Sequence, residues 1–205
     1  MTTLKYPRII LASGNAGKLR EFSQVLAPLN IEVLPQSAFN VSDADETGLS
    51  FIENAILKAR HACRSTGLPA LADDSGLEVD ALDGAPGIYS ARFAGPGATD
   101  AENNSRLLHQ LKDVPDARRS ARFRCVLAFM RHAEDPSPLI SIGTWEGHIL
   151  HAPRGEQGFG YDPLFLLPEL GLSSAELPRE QKNSLSHRGQ AVARLAEQIG
   201  PYLNN

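Results

Sequence analysis

The strongest chemical candidates are three carboxylates: the adjacent pair Asp73 and Asp74, and Glu46, which stands ahead of a helix-start pattern. Mg2+ is a hard cation that prefers carboxylate oxygens and keeps most of its waters, so one or two carboxylates plus substrate phosphates hold it. A further carboxylate, or one sharing the ion, can accept a proton from an attacking water. Asp73-Asp74-Ser75-Gly76 also reads as an ordinary acidic turn. A second candidate is Ser13-Gly14-Asn15-Ala16-Gly17-Lys18, where a strand runs into a helix. Backbone N–H groups at a helix start can receive phosphate oxygens, and Lys18 adds a point charge. The stretch is not a Walker A loop, because Leu19 stands where Ser or Thr is required; an ordinary turn is the alternative.

Three more clusters could read a base or sugar. Phe159, Gly160, Tyr161 and Asp162 set aromatic rings among glycines, which lets a flat base approach and stack, or else forms a tight turn with an aromatic plug. Lys182, in the polar run Gln181-Lys182-Asn183, could neutralise a phosphate or hydrogen-bond a base, or simply be solvated. Ser186-His187-Arg188 opens a helix with a serine cap, yet it puts two basic side chains at the positive helix end. An oxygen-rich ligand would offset that arrangement, as would nearby acidic residues.

The elements that must position these groups follow from periodicity. Arg8–Ala12 reads as a buried strand, and Leu19, Phe22, Val25, Leu26 and Leu29 recur at helical spacing after the first loop. Ser50 and Glu53 form a capping-box pattern that predicts a second helix, with Ile52, Ala55, Ile56 and Ala59 on one face. Leu68–Ala72 predicts a strand ending in the acidic turn, and residues 77–81 alternate as another strand. Gly84–Gly97 is too rich in Gly and Pro for regular structure. A helix is expected over 101–112, a long strand over 123–130 with an antiparallel neighbour at Ile140 and Ile142, and a C-terminal helix from Ser186 with Val192, Leu195, Ala196 and Ile199 inward.

Composition narrows the class. A chain of 205 residues that is 42% hydrophobic can bury a core without cross-links. Cys63 and Cys125 form no CxxC pair, which argues against structural zinc and suits a reducing compartment. Met1–Pro7 lacks an apolar signal-peptide core, and no apolar run approaches the roughly 20 residues of a membrane span. A cytoplasmic protein without a membrane partner is expected. Net charge is -4, so duplex nucleic acid is not the expected partner.

In order and wording these clusters resemble the inosine triphosphate pyrophosphatase family, also called the non-canonical purine NTP pyrophosphatases. The matching segments are Ser13-Gly14-Asn15 with Lys18, Glu46-Thr47-Gly48, Phe51–Ala55, Ala72–Gly76, Gly84–Arg92, Gly158–Pro163, Lys182-Asn183 and Ser186–Gly189, which span nearly the whole chain. The resemblance implies an α/β fold in which a long mixed central sheet is flanked by helices, with two lobes, a cleft between them, and one domain over 1–205. It implies hydrolysis of purine triphosphates such as ITP, dITP and XTP to monophosphate and pyrophosphate, which keeps them out of DNA and RNA, and it implies Mg2+ and a homodimer. By the same resemblance the first loop (Ser13, Gly14, Asn15, Ala16, Gly17) and Lys18 grip the triphosphate, Glu46 and Asp74 bind Mg2+, and Asp74 is the general base. Ser75 helps hold the substrate, and Phe159, Gly160, Tyr161, Asp162, Lys182, His187 and Arg188 form the base and sugar pocket. Ser13 departs from the threonine common in the family but keeps the hydroxyl. Asp73 need not share the ion, since adjacent residues of an extended segment point to opposite faces; it could orient Lys18 or the water instead.

Hypoxanthine and xanthine carry a 6-oxo acceptor where adenine presents a donor, so His187 or Arg188 as donors would reject adenine. On the residues alone two other readings stay open: a hydrolase of the same fold acting on a pyrimidine or other modified triphosphate, and a nucleotide- or RNA-sensing module without turnover. The second gives little reason for Glu46, Asp73 and Asp74 to stand beside a phosphate grip.

Overall fold

The computed structural model describes residues 7–204, so the expectation for the first six residues lies outside it. Strand β1 (Arg8–Leu11) is a continuous apolar run with Ile9, Ile10 and Leu11 fully buried, the signature of a strand covered on both faces. It feeds helix α1 (Ala16–Leu26), which buries Phe22 and Leu26 one turn apart. Strand β2 (Glu32–Pro35) then returns parallel to β1, with Ile10 opposite Leu34. Helix α2 (Phe51–Thr66) starts at Ser50, whose Oγ accepts from Glu53 N, and ends at Gly67 with the positive φ of 69° that a helix C-cap favours.

Strand β3 (Ala70–Val79) lies parallel to β1. Helix α3 (Asp100–Gln110) has a full capping box between Thr99 and Glu102. Strands β4 (Ser120–Met130) and β5 (Leu139–Ile149) follow, then the short β6 (Phe165–Leu167) and β7 (Leu172–Ser173), helix α4 (Arg179–Leu185) and helix α5 (His187–Asn204). The strands form one seven-stranded sheet in the order β2-β1-β3-β4-β5-β6-β7. It is mixed, since β1 pairs in parallel with β2 and β3 while β6 pairs antiparallel with both β5 and β7. This is the α/β architecture expected from the sequence.

The chain divides into two compact units, one running through Asp74 with Cys125–Gly143 and the residues from Gln190 on, the other Ser75–Arg124 and Thr144–Gly189. The core of the first joins Ile9, Leu11, Phe22, Leu26, Leu71, Leu127, Phe129, Leu195 and Ile199. That of the second joins Leu77, Val79, Leu107, Phe123, Trp145, Phe165 and Leu177. Arg119 is fully buried in the second unit, where its guanidinium donates to the carbonyls of Leu111 at 2.7 Å, Ile149 at 2.8 Å and Leu150 at 2.9 Å, so a buried cation is satisfied by backbone dipoles. No described helix is long and apolar enough to cross a membrane. Both cysteines are free and buried, and burial pushes the Cys63 thiol up to about 11.

Three sequence expectations change. Asp73-Asp74-Ser75-Gly76 is no turn but lies within β3, which pairs between β1 and β4, each aspartate meeting a lysine. Ile52 sits on the exposed side of α2 and Ile56 is half-buried, while Phe51, Asn54, Ala55, Ala59, Ala62 and Cys63 are buried. The Gly- and Pro-rich segment holds a short 3-10 helix over Gly87–Arg92.

Candidate active site

In the first unit the chemistry gathers around three elements. Asn15 caps α1, its Oδ1 accepting from Gly17 N at 2.8 Å and Lys18 N at 3.1 Å. Those two amides are thereby used by the cap. Lys18 stands in the first turn of α1, and its Nζ reaches Asp73 at 2.9 Å to Oδ1 and 2.7 Å to Oδ2. Asp73 and Asp74 are consecutive in β3 and therefore project to opposite faces. Asp74 accordingly meets different partners, taking Lys58 Nζ on Oδ1 at 2.9 Å and Asn54 Nδ2 on Oδ2 at 3.3 Å. Lys58 Nζ also donates to Glu46 Oε1 at 2.9 Å. Asn54 and Lys58 lie four residues apart on one face of α2. Neither is among the candidates drawn from the sequence, although Asn54 lies in the Phe51–Ala55 segment; the available signal is a polar pair at helical spacing beside buried Ala55 and Ala59.

In the second unit a glycine turn is built around one carboxylate. Asp162 is buried and accepts from Phe159 N at 2.8 Å, from Ser174 Oγ at 2.9 Å and from the Lys182 ammonium. Gly158 has φ 85°, and a Cβ there would lie 2.2 Å from Asp162 Oδ2, so this position admits only glycine. The turn leaves the Phe159 ring 64% exposed, with Lys182 Nζ 5.2 Å from its centroid. Gly160 is tied to α3 at both backbone groups, donating to Asp100 Oδ2 at 2.6 Å and accepting from Asn104 Nδ2 at 2.9 Å. Tyr161 is buried and donates to Ser90 O at 2.8 Å, so its ring is a plug beneath the turn. Ser186 Oγ accepts from Gly189 N at 3.1 Å, as a cap of α5 should. The His187 ring stacks on Phe123 with centroids 4.9 Å apart, and Arg188 beside it is half-buried. The Ser75 hydroxyl is buried with no hydrogen-bond partner among the described residues, a state that native structures rarely leave unanswered.

A family model described as the Ham1 family matches residues 9–198. The chain belongs to the Ham1 family. A dITP/XTP pyrophosphatase from Yersinia pestis is 60% identical over 185 residues, covering 90% of this chain and 94% of that protein. Another protein of that name, from Photorhabdus laumondii, is 57% identical over 192 residues, covering 94% of this chain and 98% of its own length. Among solved structures, a HAM1 protein from Coxiella burnetii superposes with a TM-score of 0.92 at 51% identity, covering 95% of this chain and 98% of that one.

In this Ham1 chain the carboxylates of the first unit are electrostatically tuned. Burial raises the Asp74 carboxyl above its ordinary range, against the pull of Lys58. Burial alone would lower Lys58, but the charges of Asp74 and Glu46 reverse this and hold it raised. Two oxygen donors thus converge on one cationic centre, the Lys58 ammonium, which is the kind of charge their pairing favours. That donor set fits Mg2+, which needs few protein carboxylates when phosphates and water complete its shell. No group of three or more His, Cys, Asp or Glu placed to hold a metal occurs among the described residues, so a cage built wholly from protein is not on offer.

Proposed function

We propose that this chain hydrolyses purine nucleoside triphosphates with non-standard bases, dITP, ITP and XTP, to the monophosphate and pyrophosphate, clearing them from the nucleotide pool before they enter DNA or RNA. The observation that carries the reading is the convergence of Glu46 and Asp74 on Lys58, with Asp73, on the same strand as Asp74, paired to Lys18, in a Ham1 chain 60% identical to a dITP/XTP pyrophosphatase. Asp74 is the general base: burial has raised its proton affinity, and it can take a proton from water as that oxygen attacks the α-phosphorus. Lys18, aimed by Asp73, supplies positive charge to the departing pyrophosphate, assisted by the cap of α1 and the Ser13, Gly14, Asn15, Ala16 and Gly17 loop.

Glu46 and Asp74 are the residues that would hold Mg2+, which when bound neutralises phosphate charge and orients the water. Phe159 stacks on the base, with Lys182, His187 and Arg188 as donors to the 6-oxo group and Ser75 as a further contact. Tyr161, Asp162 and Gly160 shape and support that loop. Positioning and charge neutralisation carry such a reaction, so no covalent nucleophile is needed. A cytoplasmic homodimer, one functional domain over 1–205, and no polymeric nucleic acid or membrane among its partners complete the proposal.

The test is product analysis with dITP, ITP, XTP, GTP, ATP and UTP, with Mg2+ and with chelator. We expect rapid Mg2+-dependent release of monophosphate and pyrophosphate from the first three only. Orthophosphate with a diphosphate product, or a preference for UTP, would overturn the proposal.

A further inference from the structure

The segment before α2, residues 40–49, has no regular structure, yet side chains tie it down along its length. Gln36 Nε2 donates to Asp43 Oδ1 at 2.6 Å, and His61 Nε2 lies 3.0 Å from Ser42 O. Lys58 holds Glu46, Asn54 Oδ1 accepts from Gly48 N at 2.9 Å, and Glu53 accepts from Leu49 N at 2.8 Å. Among these ties Asn54 is fully buried and faces two ways at once, since its Nδ2 donates to Asp74 while its Oδ1 takes the Gly48 amide. Both partners fix the orientation of the carboxamide: a carboxylate must meet the NH2 and a backbone N–H must meet the oxygen.

We propose that Asn54 is the positioning residue that sets Glu46 relative to Asp74, by joining the backbone two residues beyond Glu46 to the Asp74 carboxylate through one planar amide. This deepens the functional reading given above and rests on it for the roles of the two carboxylates. Only an amide of this length supplies one donor and one acceptor across such a gap; Asp supplies acceptors alone and Ala supplies neither. The fit is close on the loop side as well. A Cβ at Gly48 would lie 2.7 Å from Asn54 Oδ1 and 2.6 Å from Glu53 Cβ, so glycine is what lets the loop backbone come down onto the amide. Lys58 links Glu46 and Asp74 by charge, through a flexible stem; Asn54 links Asp74 to the Gly48 backbone by a short, buried, uncharged group.

The experiment compares wild type, Asn54→Asp and Asn54→Ala by hydrogen exchange at the Gly48 amide, by thermal melting and by steady-state kinetics on dITP. Asn54→Asp keeps an acceptor for Gly48 but turns a like charge toward Asp74. It should leave Gly48 exchange and KM within about threefold while lowering kcat about 10- to 100-fold, the range found when a group supporting an active-site ligand is removed. Asn54→Ala should speed Gly48 exchange at least about tenfold and lower kcat by at least as much as Asn54→Asp does. A group that merely filled space would lower the melting temperature without this split. The proposal falls if Asn54→Asp keeps kcat within threefold of wild type, or if Gly48 exchanges no faster in Asn54→Ala. Should wild type fail to hydrolyse dITP, the functional reading fails on its own, and Gly48 exchange still decides whether Asn54 holds the loop.

Discussion

At the scale of single residues, the proposed role of Asp74 puts two opposed demands on one carboxylate. A base needs proton affinity, which burial gives by disfavouring the charged carboxylate, while a partner for cations must stay ionised, which Lys58 and Asn54 favour. The balance leaves the carboxyl raised above its ordinary range and still paired. Asp74→Asn keeps the volume and the contact to Lys58 but removes the basic oxygen pair. We expect kcat on dITP to fall about 10²- to 10⁴-fold, the usual contribution of a general base, with KM changed only a few-fold. Steady-state kinetics beside a circular dichroism spectrum measure this. Loss of less than tenfold in a folded variant would assign the base to another group.

At the scale of elements, what matters is how closely short pieces must approach. Gly189 in the first turn of α5 is the tightest place, since a Cβ there would lie 1.8 Å from the carbonyl oxygen of Asn183 at the end of α4. Gly189→Ala therefore has to push α4, which carries Lys182, away from the helix start that carries His187 and Arg188. We expect a stability cost of about 1–3 kcal/mol, typical of overpacking, and a KM for dITP raised at least about tenfold with a smaller change in kcat. An unchanged KM would separate Lys182 from base recognition. The same scale explains what the sequence did and did not disclose. Helices α1 and α5 and strand β4 were legible from apolar patterning, β1 from its continuous apolar run, and α2 from its capping box. Both ends of β3 were legible as strands, but its middle was not, because Asp73-Asp74-Ser75-Gly76 has the composition of a turn. What makes the middle a strand is its place between β1 and β4 in the sheet, with Asp73 paired to Lys18, 55 residues away, and Asp74 to Lys58, 16 away, which no local pattern reveals. In the site, Asp74, Glu46 and Lys18 were legible by residue type and motif, whereas Asn54 and Lys58 sit within a helix that reads as ordinary. Helix α4, at seven residues and with no buried position, has no periodicity to detect.

At the scale of the whole molecule, pH dependence of stability has an identifiable source away from the proposed chemistry. Asp135 is buried, and its carboxylate accepts from Arg131 Nε at 3.0 Å and Nη2 at 2.9 Å, from the backbone of Arg131 at 3.0 Å and Ser137 at 3.1 Å, and from the Tyr202 hydroxyl at 3.0 Å. It thereby anchors the last turn of α5, with the Arg131 guanidinium 4.7 Å from the Tyr202 ring centroid. The Arg131 hydrogen bond, above all, holds this carboxyl well below its ordinary range, more than offsetting burial. A pKa depressed by folding stabilises the native state at pH above the unfolded value of about 3.9, and that contribution is lost as pH falls through the lower folded value. Asp135→Asn removes the charge but keeps the shape. We expect it to cost about 2–4 kcal/mol at pH 7, as breaking a buried ion pair from one side does, which for a chain of this length corresponds to a melting point lower by about 4–16 °C. Between pH 5 and pH 3 the wild type should then lose about 1 kcal/mol more than the variant, since over that interval the unfolded carboxyl takes up its proton and the folded one does not. Denaturant unfolding at the two pH values measures both quantities. Parallel losses in the two proteins would mean that Asp135 titrates alike folded and unfolded, and that the acid limb belongs to other carboxylates.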